Sequence, residues 1–185
     1  NNAKIFRDIK NEFGTFYNYF KTFTNGEIYC EVGLTSSELS DKISKAEIEY
    51  LLNLEKNCKS SQKYIFPSLG GKIEIELSST DKKEDFLLDV WRSHIDLTRT
   101  KFQNRARNTI PLVRLDINSA PHKNPDGEQL AGTHLHIYKE GYNDKFAYSL
   151  PGEFTDCKSP GDFLEKFMDY CHIIKKPIIE EDLFV

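Results

Sequence analysis

From residue 72 to residue 150 the chain alternates between apolar and polar positions. KIEIEL (72–77), HIDLTRTKFQNR (94–105), IPLVRLDI (110–117), THLHIY (133–138) and KFAYSL (145–150) put apolar side chains at every second place, while DFLLDVW (85–91) is more continuously apolar. Side chains on a strand point to opposite faces in turn, so the alternating segments predict half-buried strands and 85–91 a central one. The short polar joins predict an antiparallel meander or a strongly bent sheet, with EGYND (140–144) as the turn of a hairpin.

Elsewhere the apolar period is three to four. Ile5, Ile9, Phe13, Phe16 and Phe20 predict a helix over 3–23, stopped by TNG at 24–26, and residues 27–43 carry no clear pattern. SKAE (44–47) reads as a capping box, with Ser44 and Glu47 satisfying free N–H groups ahead of an Ile48, Leu51, Leu52 stripe. A last helix begins at Ser159, with Pro160 at its first position and Asp162 favouring the N-terminal dipole. Phe163, Leu164, Phe167, Met168 and Cys171 supply its apolar face, and KKP (175–177) ends it. Together these elements predict the α+β class: an antiparallel sheet of about five to six strands with N-terminal helices and a C-terminal helix. Residues 1–40 read as an N-terminal helical extension and 41–185 as the α+β domain.

Composition changes this picture little. The 185 residues are 38% hydrophobic and 29% charged, enough to bury a core without staples, and thirteen Phe and nine Tyr make that core partly aromatic. Cys30, Cys58, Cys157 and Cys171 form no C-x-x-C pair, which argues against a zinc ribbon or a thioredoxin motif and leaves free thiols as the expectation. No apolar run reaches signal-peptide or membrane-span length, so the expected setting is cytoplasmic with no membrane partner.

Charge adds a feature. Within a net charge of −4, Arg92, Arg99, Lys101, Arg105, Arg107 and Arg114 crowd into one window opposed only by Asp96. Arg99, Lys101, Arg105 and Arg107 are thus candidates for tracking a phosphate backbone, such as that of RNA. The plainer alternative is a solvated strand face balanced by acids elsewhere in the fold.

The candidate chemistry lies at 114–138, which holds three of the five histidines. If Val113, Leu115, Ile117, Leu135 and Ile137 face the core, then Arg114, Asp116, His134, His136 and Tyr138 share the opposite face. The intervening loop, NSAPHKNPDGEQLAG, is long enough to drape His122, Asn124 and Asp126 over them. Two chemistries fit. A histidine can act as acid or base near neutral pH while arginine stabilises phosphoryl charge, a set that cleaves RNA through its own 2′-hydroxyl with no metal or cofactor. Alternatively His134 and His136, about 7 Å apart along a strand, chelate a transition metal with His122 or Asp116. The structural alternative is a hydrogen-bonded histidine pair beside an Arg–Asp ion pair.

The runs AEIEYLLNLEK, FLLDVWRSHIDLTRTKFQNR, IPLVRLDINSAPHKNPDGE, THLHIYKEGYNDKFAYSL and FMDYCHIIKKPII resemble an uncharacterised domain family of bacteria and prophages, over about residues 44–179. The order Arg114, Asp116, Ala120, Pro121, His122, His134, His136 is also similar to a motif in small TumE-like toxins of toxin–antitoxin pairs. That resemblance implies a toxin or phage-conflict protein acting as a metal-independent endoribonuclease, with RNA and a small antitoxin or defence-system protein as partners. His134, His136, Arg114, Asp116, His122 and Tyr138 are then the catalytic candidates. A non-catalytic inhibitor or nucleic-acid-binding accessory protein is the runner-up, and a metal-dependent hydrolase the third reading.

Overall fold

Alternation from residue 72 onward resolves into a sheet larger than the sequence predicts. The computed structural model describes residues 18–24, 27–33, 43–96 and 98–180, and the chain divides into two compact units, 1–42 and 43–185.

In the first unit, β1 (Asn18–Thr24) pairs antiparallel with β2 (Glu27–Gly33), from Asn18 opposite Gly33 to Thr24 opposite Glu27. This corrects the helix expected over 3–23: residues 18–23 are strand, and 3–17 lie outside the described residues. The stretch NYFKTFT is rich in aromatic residues and Thr, which favour strands, and a partner of the same kind follows at once.

The second unit begins with half of the expected capping box. Ser44 caps α1 (Lys45–Asn53), its hydroxyl accepting from the Glu47 N–H at 3.2 Å, while the Glu47 carboxylate goes to Arg107. Two short strands follow, β3 (Lys56–Cys58) and β4 (Lys63–Ile65), which the sequence pattern did not reveal. The meander is β5 (Lys72–Ser79), β6 (Asp85–Arg92), β7 (Thr100–Ala106) and β8 (Ile110–Ile117). A small hairpin of β9 (His122–Lys123) and β10 (Gln129–Leu130) comes next, then β11 (His134–Ile137) and β12 (Ala147–Tyr148). The second helix, α2 (Pro160–Tyr170), carries a complete capping box between Ser159 and Asp162. The described chain ends in β13 (Ile173–Lys175) and β14 (Ile178–Glu180).

The main sheet has eight strands in the order β12-β11-β8-β7-β6-β5-β3-β13. Thus the α+β class holds for the described residues, with more strands than the five or six expected. One pair, β13 with β3, is parallel, as is the separate pair β14 with β4. Both helices cover one sheet face. Ile48 and Leu51 of α1 and Leu164, Phe167 and Met168 of α2 join Ile75, Leu77, Phe86, Leu88, Val90, Phe102, Val113, Leu115 and Leu135 in one core. Phe102 meets Phe167 with ring centroids 5.9 Å apart. Each such fully buried Leu or Phe stabilises the fold by about 1.5–3 kcal/mol.

Lys56, at the start of β3, is fully buried in this core. Its ammonium donates to the carbonyls of Leu52 (3.3 Å), Leu54 (2.8 Å) and Cys171 (3.0 Å), and lies 4.8 Å from the Phe86 ring centroid. One cation thereby ties the C-terminal end of α1 to that of α2. Burial pulls its pKa down to about 8, against a smaller opposing influence of the Cys171 thiol.

Candidate functional site

The sheet face away from the helices carries the polar members of the alternation. Cross-strand register sets His134 opposite Asp116, and His136 opposite Arg114. The same register continues inward, Lys101 beside Asp116 and Gln103 beside Arg114. Parity therefore delivers Arg114, Asp116, His134 and His136 to one patch, as the sequence predicts.

The histidines of that patch are covered. Only 2% of His134 and 0% of His136 is exposed, where a surface-facing pair was expected. Part of the cover is the β9–β10 hairpin. His122 at its start is half-buried, and its ring centroid lies 5.5 Å from that of His134 and 4.7 Å from that of His136. Centroids of His134 and His136 are 4.9 Å apart. Asn124 anchors this hairpin to β12. Its amide donates to the Ala147 carbonyl at 2.9 Å and its carbonyl accepts from the Ala147 N–H at 2.8 Å. At the base of the loop the Ser119 N–H donates to the Gly132 carbonyl at 2.6 Å, and a Cβ at Gly132 would come within 2.7 Å of the Ser119 oxygen. Glycine is needed there for close backbone approach.

Each imidazole spends one nitrogen on a backbone carbonyl: Nδ1 of His134 on Ala131 (2.9 Å), Nδ1 of His136 on Asp144 (2.9 Å), Nε2 of His122 on Lys145 (3.0 Å). An Arg114 N–H donates to Nε2 of His136 at 2.9 Å, and the same guanidinium pairs with the Asp144 carboxylate and approaches Asp116 Oδ1 at 3.3 Å. Oδ2 of Asp116 lies 3.8 Å from His134 Nε2 and 3.5 Å from His136 Nε2, and Lys101 stands 3.8 Å from Oδ1. Burial pushes the Asp116 carboxyl up, but its contact with His136 and the charges of Arg114 and Lys101 together hold it below the usual carboxylate range. Burial lowers the His134 pKa, opposed by the Ala131 carbonyl and reinforced by His136. The centre thus presents an ionised carboxylate, a guanidinium and a neutral imidazole. One ring nitrogen from each of His122, His134 and His136 lies within 4.8 Å of the others.

Tyr138, expected to share this face, stands apart. β11 ends at Ile137, and the Tyr138 ring sits among the core residues while its N–H donates to the Leu112 carbonyl at 2.8 Å. Asp126 is also elsewhere, exposed, its carboxylate accepting from the Glu128 N–H within the hairpin.

The basic strip is internally paired over much of its length. Arg105 holds both Asp89 oxygens at 2.6 and 2.8 Å, and Arg107 is flanked by Glu84 (2.9 and 2.8 Å) and Glu47 (2.6 Å). Lys101 belongs to the histidine centre through Asp116, and Arg99 lies before β7, which begins at Thr100. The four do not form one unpaired row.

Asp144 is the site residue that sequence reading missed. It falls in the stretch read as a hairpin turn, and its only signal is an acidic residue at the foot of a strand that pairs with the histidine strand. Among the described residues Cys58, Cys157 and Cys171 are free thiols; the Cys30 side chain lies outside that description. No helix among the described residues is long and apolar enough to cross a membrane.

No curated protein and no solved structure matches this chain. A family model does, over residues 43–173, which spans the helical layer, the meander and the whole histidine cluster. The chain belongs to DUF6978, a family of unknown function.

Proposed function

We propose that this chain is an enzyme that cleaves an anionic ester, with RNA phosphodiesters as the first substrate to test, at the centre formed by His134, His136, His122, Asp116 and Arg114. The observation that carries the proposal is the cost of that centre. A buried carboxylate, a guanidinium and three imidazoles from separate segments destabilise a fold unless fully compensated, and such groups concentrate where chemistry is done. Lys101, 42% exposed and beside Asp116, turns positive charge toward solvent, where a substrate phosphate would approach. A toxin or phage-conflict setting, with a small antitoxin or defence-system protein as partner, suits an RNA-cleaving activity of this kind.

The test is controlled expression in bacteria followed by total RNA analysis, comparing the intact chain with Lys101→Ala and with a His134/His136 double alanine. Cleavage by the intact chain, reduced at least tenfold by Lys101→Ala and abolished by the double variant, is the expected result. Intact RNA throughout, with folded protein present, removes the RNA reading. A second reading, a non-catalytic binding protein, is favoured by one observation: three imidazole nitrogens and one Arg114 N–H are already taken within the fold. It predicts growth inhibition or partner capture that survives the double substitution.

A further inference from the structure

We infer that His122, His134 and His136 form a binding site for one divalent transition-metal ion, with Asp116 beside it as a neighbouring or fourth ligand. The site does not depend on the enzyme reading. It follows from how the three rings are held.

A backbone carbonyl only accepts hydrogen bonds, so each ring nitrogen that meets one carries the proton. That assigns N–H to Nδ1 of His134, Nδ1 of His136 and Nε2 of His122, facing Ala131, Asp144 and Lys145. That leaves the other nitrogen of each ring as the one that can face a metal: Nε2 of His134, Nε2 of His136 and Nδ1 of His122. Ring nitrogens of metal-binding histidines are fixed in this way, with the second nitrogen donating to a carbonyl or carboxylate that orients the ring. Three independent carbonyls have done so here, and the rings offer nitrogens within 4.8 Å of one another.

A carboxylate stands next to them. Nε2 of His134 and Nε2 of His136 lie 3.8 and 3.5 Å from the same Asp116 oxygen under near-complete burial. A cation held by these nitrogens would meet that negative charge at once. Arg114 supplies positive charge at His136 Nε2, at 2.9 Å, while it is also committed to Asp144 and Asp116.

The donor set selects the ion. Imidazole nitrogen suits zinc and its neighbours, whereas magnesium and calcium demand oxygen. Tetrahedral zinc with Zn–N near 2.0–2.1 Å sets its nitrogens about 3.4 Å apart. With all three nitrogens within 4.8 Å of one another, the widest pair must close by at most roughly 1.4 Å, and two features permit it. His122 rides on a short hairpin, and the Arg114 N–H has Asp144 and Asp116 to hold it when it yields His136. While Asp116 stays a neighbour and not a ligand, three histidines leave one coordination position for water or substrate, the arrangement of an open rather than a structural site.

The experiment uses the full chain, stripped with chelator and titrated with Zn2+ by calorimetry and with Co2+ by visible absorption. One equivalent is expected to bind, with the intense visible bands of tetrahedral cobalt. His122→Ala removes the half-buried ligand and should weaken Zn2+ binding at least tenfold with the fold intact by circular dichroism. His94→Ala, an exposed histidine outside the cluster, should change it less than twofold. Folded chain that binds no Zn2+ at micromolar concentration overturns the site, as does an equal loss in the His94 and His122 variants. Because His134→Ala and His136→Ala empty buried positions, the His122 variant decides the question if those two fail to fold. Metal bound without RNA cleavage removes the RNA reading alone, and RNA cleavage by a chain that binds no Zn2+ removes this inference alone.

Discussion

Asp116 is the residue on which the centre turns. It faces two imidazoles, a guanidinium and a lysine ammonium, all within 3.8 Å of one or other of its oxygens. Substitution by Asn keeps the shape and removes the charge, leaving Arg114 with Asp144 as its remaining carboxylate. Asp116→Asn is expected to lower stability by about 3–4 kcal/mol, within the range for breaking a buried ion pair; urea unfolding measures it. A change under about 0.5 kcal/mol, typical of an unconstrained surface position, would mean that the carboxylate holds nothing together. Parity makes Arg114, Asp116, His134 and His136 legible in the sequence, because apolar neighbours leave the polar set only one face. What parity cannot say is whether another segment roofs that face. The burial of His134 and His136 depends on contacts from residues 122 and 144–145, and such long-range cover leaves no period in a sequence. Tyr138 misled because alternation holds only while the strand lasts.

At the scale of elements, Lys56 joins two helix ends with one ammonium. Its three carbonyl acceptors lose this charged donor in Lys56→Met, and the variant is expected to lose about 2–4 kcal/mol at pH 7, since buried unsatisfied groups cost about 1–3 kcal/mol each and the new side chain recovers part of the packing. The pH dependence has a definite sign. The folded-state pKa of about 8 lies below the ordinary 10.5, so between those values the unfolded chain holds a proton that the folded one has released. The stabilising contribution is therefore fully present above pH 10.5 and is lost as pH falls through 8. Wild type should gain stability over the Met variant between about pH 8 and 10. A constant difference over that range would place the ammonium in a wetter site. The meander and α2 were legible because period, turns and caps agreed. The first unit was not: Phe13, Phe16 and Phe20 keep helical spacing, while NYFKTFT and EIYCEVG are strand formers around an Asn–Gly pair, itself a hairpin signal. Nor were β3 and β13 foreseeable, since three-residue strands that pair in parallel from distant parts of the chain carry no local signature.

For the molecule as a whole, the unit at 43–185 holds the core, and the family match begins at residue 43. A chain starting at Asp41 keeps the Ser44 cap and is expected to be soluble, to unfold cooperatively, and to melt within a few degrees of the full chain. Aggregation of that truncation under native conditions would show that residues 1–40 complete its core. The Asn124 clamp has a further consequence at this scale. An eight-stranded sheet ends in two unsatisfied borders, each a template on which a second chain can continue the ladder. On the β12 side both outward backbone groups of Ala147 are already taken by one side-chain amide, which imitates a ninth strand for a single residue. On the β13 side the border is three residues long and runs into Lys176 and Pro177, which lack respectively an apolar side chain and a backbone donor. Asn124→Ala reopens the first border, so light scattering should detect concentration-dependent self-association in that variant and none in the parent. The amide that seats a histidine thus also occupies the backbone groups that a second copy would need to add edge to edge at this residue.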